Sequence, residues 1–181
     1  QGSAETAEWA AQRRYPYLMV YSPLQVIKRV YDEYRGYCEK FGYRCPPSQL
    51  GWLAPIYVGE TDRQAREEAE PHLLWLFRRG LKMPLEFLFP PGYVTLPSMM
   101  RQLATRAKAE WGKRTFDELA EQGYVIVGSP ETVTERLRAA HTELGFGTLL
   151  PLLQFGPLPP DLTKRNMEMF AKEVMPQLRP L

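Results

Sequence analysis

From Leu24 to Phe41 the apolar residues Ile27, Val30, Tyr31, Tyr34, Tyr37, Cys38 and Phe41 fall three or four positions apart, and Gly42 follows them. That spacing predicts one buried face of a helix, with glycine as its stop. On either side the rhythm changes. Tyr17-Leu18-Met19-Val20-Tyr21 is a continuous apolar run closed by Ser22-Pro23, and Trp52–Val58 and the stretch 148–154 read the same way. Such runs predict buried strands. Tyr124-Val125-Ile126-Val127 is a shorter run that leads into the next helix, and it is not counted with the three stronger ones.

Helical patterns fill the intervals. A short helix follows Ser3, with Ala7, Ala10 and Ala11 on one side and Arg13, Arg14 and Pro16 at its end. Gly59-Glu60-Thr61-Asp62 offers cap residues to a helix running toward Gly80, in which Pro71 is expected to introduce a kink or a division. Further helices are predicted over about 98–111 and 116–121, from the GSPETV stretch at 128–133 through about Leu144, and over about 161–178. In the last one Met167, Phe170, Ala171 and Val174 are the predicted buried stripe. Alternating strand and helix implies parallel strands with helical crossovers, in a doubly wound sheet or a β/α barrel. Three strong strands do not close a barrel of eight. Together with an opening that begins at a helix cap with nothing ahead of it, this predicts one domain over residues 1–181 that is part of a larger fold.

One segment breaks the alternation. LKMPLEFLFPPGYVTLP, residues 81–97, holds four prolines, one glycine and several large apolar side chains. It reads as an excursion packed by its own hydrophobic residues. With the helices that follow, to about residue 121, it forms an insertion within the domain, either a packed surface loop or a lid.

Charge narrows the function classes. The 181 residues carry a net charge of +2 with both signs interspersed, without the basic patch that nucleic-acid binding needs. No apolar run reaches the ~18 residues of a spanning helix, so neither nucleic acid nor a membrane is an expected partner and the expected location is cytoplasmic. Cys38 and Cys45 read as two unpaired thiols in a reducing compartment. His72 and His141 fall in predicted helices with no companion ligand at metal spacing, so no metal site is assigned. HExxH, GxSxG and Walker patterns are absent.

The sharpest motif is an internal echo. Gly2-Ser3-Ala4-Glu5-Thr6 and Gly128-Ser129-Pro130-Glu131-Thr132 are nearly one word, each at a predicted helix start. Ser3 and Ser129 suit the cap position and Pro130 the first helical turn. Two readings stand at this point. The words are good caps, or their amides and hydroxyls receive a phosphate. The glutamates already supply negative charge there and weigh against an anion.

GSAETAEWAAQRRYPYLMV, GSPETVTERL, GFGTLLPLLQFGPLP and MEMFAKEVMPQLRP, taken together, resemble the C-terminal half of the bacterial luciferase-like, flavin-dependent monooxygenases, and the resemblance runs from Gln1 to Leu181. It implies an α/β fold, the C-terminal half of a (β/α)8 TIM barrel, with an insertion before the last strand. It implies reduced FMN at the C-terminal mouth of the barrel, its phosphate on Ser3 and Thr6 with the Gly2 and Ser3 amides as donors. The second copy of the word is then structural. Tyr21 and Gln154, at strand ends, are candidates to face the flavin, with packing the equal alternative. The implied activity is oxygenation of a small hydrophobic substrate with O2, with a flavin reductase as a partner. The substrate itself is not legible. The family's principal histidine and reactive cysteine lie in the other half, so no catalytic residue is assigned here. Two other outcomes fit the same residues: a deazaflavin F420-dependent oxidoreductase of the same fold, and a non-catalytic flavin- or partner-binding relative. Half a barrel leaves open strand edges and an uncovered inner face, which predicts a homo-oligomer or aggregation.

Overall fold

Leu50–Val58, the longest of the apolar runs, becomes the strand on which the sheet is built. The computed structural model describes residues 4–84, 87, 95–109 and 112–179. Among them are four parallel strands, β1 (Tyr17–Val20), β2 (Leu50–Val58), β3 (Ile126–Gly128) and β4 (Thr148–Leu152). β1 pairs with β2 from Tyr17 opposite Leu50 to Val20 opposite Leu53, and β4 pairs with β2 from Thr148 opposite Gly51 to Leu152 opposite Pro55. The three runs read as strands therefore lie side by side in chain order, as successive strands of a barrel wall do. The run at 124–127 is a strand after all. It is short, and it pairs with the last three residues of β2, Ile56–Val58.

Backbone groups of successive strand residues point to opposite edges. The Leu50 carbonyl accepts from Gly147 N and Val58 N donates to Asn166, whereas Gly59 N donates to the Gly128 carbonyl. Asn166 therefore continues the edge taken by β4, and β3 occupies the opposite edge, beyond the end of β1.

The helices are α1 (Ala4–Gln12), α2 (Leu24–Lys40), α3 (Asp62–Trp75), α4 (Leu96–Ala109), α5 (Phe116–Glu121), α6 (Pro130–Leu144), α7 (Pro160–Met169) and α8 (Met175–Leu178). α2 buries Ile27, Val30, Tyr31, Tyr34 and Cys38, as its spacing predicts. It ends in a turn with Gly42 at φ +79°, where Tyr43 N donates to the Cys38 carbonyl. Both cysteines are free.

Two helix expectations need correction. Pro71 does not divide α3. It faces solvent, and the helix runs through it to Trp75; the change comes at Leu76–Gly80, a π turn closed by Leu81 N on the Leu76 carbonyl. In the last helical segment Met167 is 46% exposed and Ala171 lies on the solvent side. Phe170 and Val174 face inward as expected, joined by Asn166, and a second π turn spans Phe170–Val174.

Two apolar clusters result. The larger holds Leu50, Trp52, Ala54, Ile56 and Val58 of β2 with α1, α2 and α6. The smaller gathers Tyr57, Phe77, Phe116, Tyr124 and Phe155 around α3 and the β4 exit. Trp52, Tyr31, Tyr34 and Tyr57 are fully buried, each worth roughly 1.5–3 kcal/mol in removed apolar surface. The sheet face turned away from α1 and α2 is less well covered. Leu18, Val20 and Leu53 are half-buried there and Leu150 is 36% exposed.

Candidate functional site

α1 runs back along β1, with the Ala11 carbonyl at its end receiving the Tyr43 hydroxyl. Its first turn therefore lies at the end of the sheet where the strands terminate. Of the sequence-predicted residues, Tyr21 and Gln154 follow β1 and β4 at that same end, as Gly59 follows β2. Gly2 and Ser3 lie outside the described residues. Thr6 is exposed in the first turn of α1.

Glu5, the residue that weighs against a phosphate there, is engaged elsewhere. Its carboxylate accepts from the Ser98 hydroxyl at 2.7 and 2.6 Å and from the Thr95 hydroxyl at 2.8 Å. Ser98, only 1% exposed, lies in the first turn of α4.

The second copy of the word is arranged differently. Ser129 caps α6 by accepting from Thr132 N at 3.3 Å. Asp62, from the start of α3, then fills the remaining donors: Ser129 N donates to its Oδ1 at 2.7 Å and the Thr132 hydroxyl to its Oδ2 at 3.1 Å. The Ser129 amide and the Thr132 hydroxyl hold the Asp62 carboxyl below its usual range. A protein carboxylate thus sits where an anion would, on the copy read as structural.

Tyr21 adopts φ +47°, a left-handed conformation uncommon for a non-glycine residue. Its ring meets Phe77 edge-on at 6.2 Å, and Phe77 meets Tyr124 at 5.7 Å. Burial raises the Tyr21 phenol's pKa, so it is a neutral donor at ordinary pH. Gln154 is exposed, its amide donating to the Gly156 carbonyl at 3.2 Å. Tyr21 is therefore half packed into the aromatic cluster, and Gln154 stands open at the rim.

Behind the rim lies a polar group that the sequence did not reveal. The Tyr57 hydroxyl donates to Glu68 at 2.7 Å, Glu68 pairs with Arg165, and the Gln64 amide donates to the second Glu68 oxygen at 3.0 Å. Burial, reinforced by Glu68, pushes the Tyr57 phenol up to about 12. Burial also raises the Glu68 carboxyl, but the bonds from Arg165, Tyr57 and Gln64 outweigh it and the net direction is down. The group is charge-balanced and holds α3 to α7. Below it Asn166, fully buried, accepts from Val58 N and donates to the Ile56 and Leu153 carbonyls, all at 2.9 Å. No local pattern announces either set, because the partners lie up to 110 residues apart.

The two histidines take no part at the rim: His72 is half-buried in α3, and the His141 ring packs edge-on against Phe146 at 5.4 Å. Among the described residues no group of His, Cys, Asp and Glu has the arrangement of a metal site, and no helix is long and apolar enough to cross a membrane.

Comparison with known proteins matches residues 2–147 to the luciferase-like monooxygenase family. No curated protein matches the chain. Among solved structures, the chain is similar to the oxygenating constituent of 3,6-diketocamphane monooxygenase from the CAM plasmid of Pseudomonas putida, solved in complex with FMN. The identity is 23% and the TM-score 0.67, over 94% of this chain and 45% of that one. It is also similar to EDTA monooxygenase from Chelativorans sp. BNC1, at 18% identity and TM-score 0.59, over 99% and 43% of the two chains. A third is the coenzyme F420 dependent tetrahydromethanopterin reductase from Methanopyrus kandleri, at 15% identity and TM-score 0.60, over 97% and 49%. At these identities the likeness is one of fold, and the chain spans less than half the length of each of these proteins.

Proposed function

We propose that this chain, which belongs to the luciferase-like monooxygenase family, is the phosphate-holding part of a flavin-dependent monooxygenase that uses reduced FMN and O2 to oxygenate a small hydrophobic substrate. The observation that carries this reading is the family match over residues 2–147, which takes in the first helix start. At Ser129 and Thr132 a carboxylate from Asp62 already occupies the donors. At the first turn of α1 the nearby carboxylate, Glu5, is drawn toward Ser98 and Thr95. The donor chemistry of that turn, hydroxyls and amides at the positive end of a helix dipole, fits a phosphate.

When bound, the flavin would supply the electron transfer to O2 and the oxygen chemistry. This chain's residues would do the rest. Ser3 and Thr6 would bind the phosphate through their hydroxyls, with the Gly2 and Ser3 amides as further donors. Tyr21, protonated and backed by Phe77, would present an apolar ring and one hydrogen-bond donor at the rim. Gln154 would offer its amide beside it. Phe77 and Tyr124 would keep water from the space behind. No catalytic residue is assigned within the chain, and the reduced flavin would come from a reductase in the same compartment, taken to be the cytoplasm.

The test is a flavin titration. The chain is expected to bind FMN, and the double variant Ser3→Ala/Thr6→Val to lose about tenfold in affinity or more, two hydrogen bonds to a charged group being removed. Thr132→Val should leave FMN binding unchanged. Equal binding by wild type and double variant would overturn the assignment of the phosphate corner. A second reading, a deazaflavin-dependent oxidoreductase, is favoured by the likeness to the F420 dependent reductase. Parallel titrations with FMN and F420 separate the two.

A further inference from the structure

We propose that Glu5 is a latch that fastens α4 over the first turn of α1, so that seating α4 and organising the phosphate corner are one event. The inference rests on the functional reading above for its ligand, and on geometry alone for the latch. Residues 5, 95 and 98 are distant in sequence and belong to two different helix starts, yet three hydroxyl-to-carboxylate distances of 2.6 to 2.8 Å join them. Ser98 is buried although it carries a hydroxyl, and its Oγ lies within bonding distance of both Glu5 oxygens. Hydrogen bonds to an ionised carboxylate are about twice as strong as neutral ones, so this contact is a firm tie between the start of α4 and the start of α1.

The arrangement resolves the difficulty posed by Glu5 in the sequence. A free carboxylate one residue before Thr6 would repel a phosphate arriving at the same turn. With the latch closed, the charge is taken up by two hydroxyls at the first turn of α4, where the helix dipole also favours it. Opening the latch takes the Ser98 and Thr95 hydroxyls from the Glu5 carboxylate and loosens the start of α4 from the start of α1. Glu5 is thus a positioning residue, acting on the ligand through Ser98 and Thr95, and the two events should be coupled in both directions.

The coupling separates this role from that of an acidic bystander by sign. If Glu5 merely repels the ligand, Glu5→Gln should tighten FMN binding. If it is a latch, Glu5→Gln should weaken it by about three- to tenfold despite removing a like charge. Ser98→Ala keeps the charge and breaks the latch, so it should weaken FMN at least as much. The double variant should be no worse than Ser98→Ala alone, since both changes break one contact. Hydrogen exchange of the α4 amides, measured on the full chain without FMN, reads the latch directly. Protection should fall by about tenfold in each single variant. Tighter FMN binding by Glu5→Gln, or unchanged α4 exchange in both single variants, would overturn the latch. If wild type binds neither FMN nor F420 yet α4 exchange still rises in both variants, the latch stands and the functional reading fails.

Discussion

Asn166 shows how much one side chain carries when it replaces a strand. β4 stops opposite Pro55, and the edge of β2 beyond it would leave Ile56 O and Val58 N unpaired in the core. The Asn166 amide presents one acceptor and two donors, and all three are used. Asn166→Leu should therefore cost about 3 kcal/mol, as buried backbone groups lose partners at about 1–3 kcal/mol each. Asn166→Asp should be no better, because a carboxylate cannot donate to the two carbonyls; urea unfolding of both variants checks this. Asp62 makes a pH-dependent contribution. Its carboxyl sits below its ordinary value in the folded chain, so its stabilisation is complete above the unfolded pKa of about 4 and is lost as pH falls through the folded one. Asp62→Asn should flatten the acid limb of the stability curve below about pH 4 while leaving its shape above about pH 6 unchanged. At this scale the sequence was only half legible. The echo at residues 2–6 and 128–132 could be seen, and so could Ser129 as a cap. What distinguishes the two copies, Asp62 at one and Ser98 beside the other, comes from contacts 67 and 93 residues away that no local pattern encodes.

Helices and strands followed from periodicity wherever a single neighbour set their burial. α2 behaves as read, because one face packs on one sheet. α3 and the last helix each carry a π turn, at Leu76–Gly80 and Phe170–Val174, which periodicity alone does not reveal. In α3 the turn turns Phe77 inward, against Tyr21 and Tyr124. Pro71 is tolerated without a break because it lies on the solvent side of the helix. The loop after β4 docks on that same helix. Gly156 stands at φ +52°, and a Cβ there would come within 2.8 Å of the His72 carbonyl. Gly156→Ala should destabilise by about 1–3 kcal/mol, the cost of strain at a position where the backbone cannot retreat. Gly36→Ala is the counterpart. Gly36 is exposed in the middle of α2, and an added Cβ would meet nothing within 4 Å. It should stabilise by about 0.5–1 kcal/mol. Thermal unfolding of the pair reads opposite signs from the same substitution.

Among the described residues the molecule is a wall of parallel strands with one face well covered and the other partly open. α1, α2 and α6 cover the even-numbered residues of β2 from Leu50 to Val58. On the opposite face the C-terminal end is closed by α3 and the loop at Phe155, while Leu18, Val20, Leu53 and Leu150 nearer the other end remain partly open. Their alternation with buried Tyr17, Met19 and Trp52 is what made these runs read as strands covered on both sides. In the similar solved structures the corresponding segment is less than half of the chain. The free energy available from closing this face is considerable: each aliphatic side chain taken from half-buried to buried contributes on the order of 1 kcal/mol. Among the described residues this face stays partly open, and a second copy of the chain offers matching apolar surface. Sedimentation at micromolar concentration should therefore show dimers or larger species. Leu150→Lys, placing a charge in the middle of the open face, should shift the distribution toward monomer without lowering the thermal midpoint of that monomer. If the wild-type chain sediments as a single monomer across that range, the face is not sticky enough to drive association, and the open strands are protected by their own twist and short length.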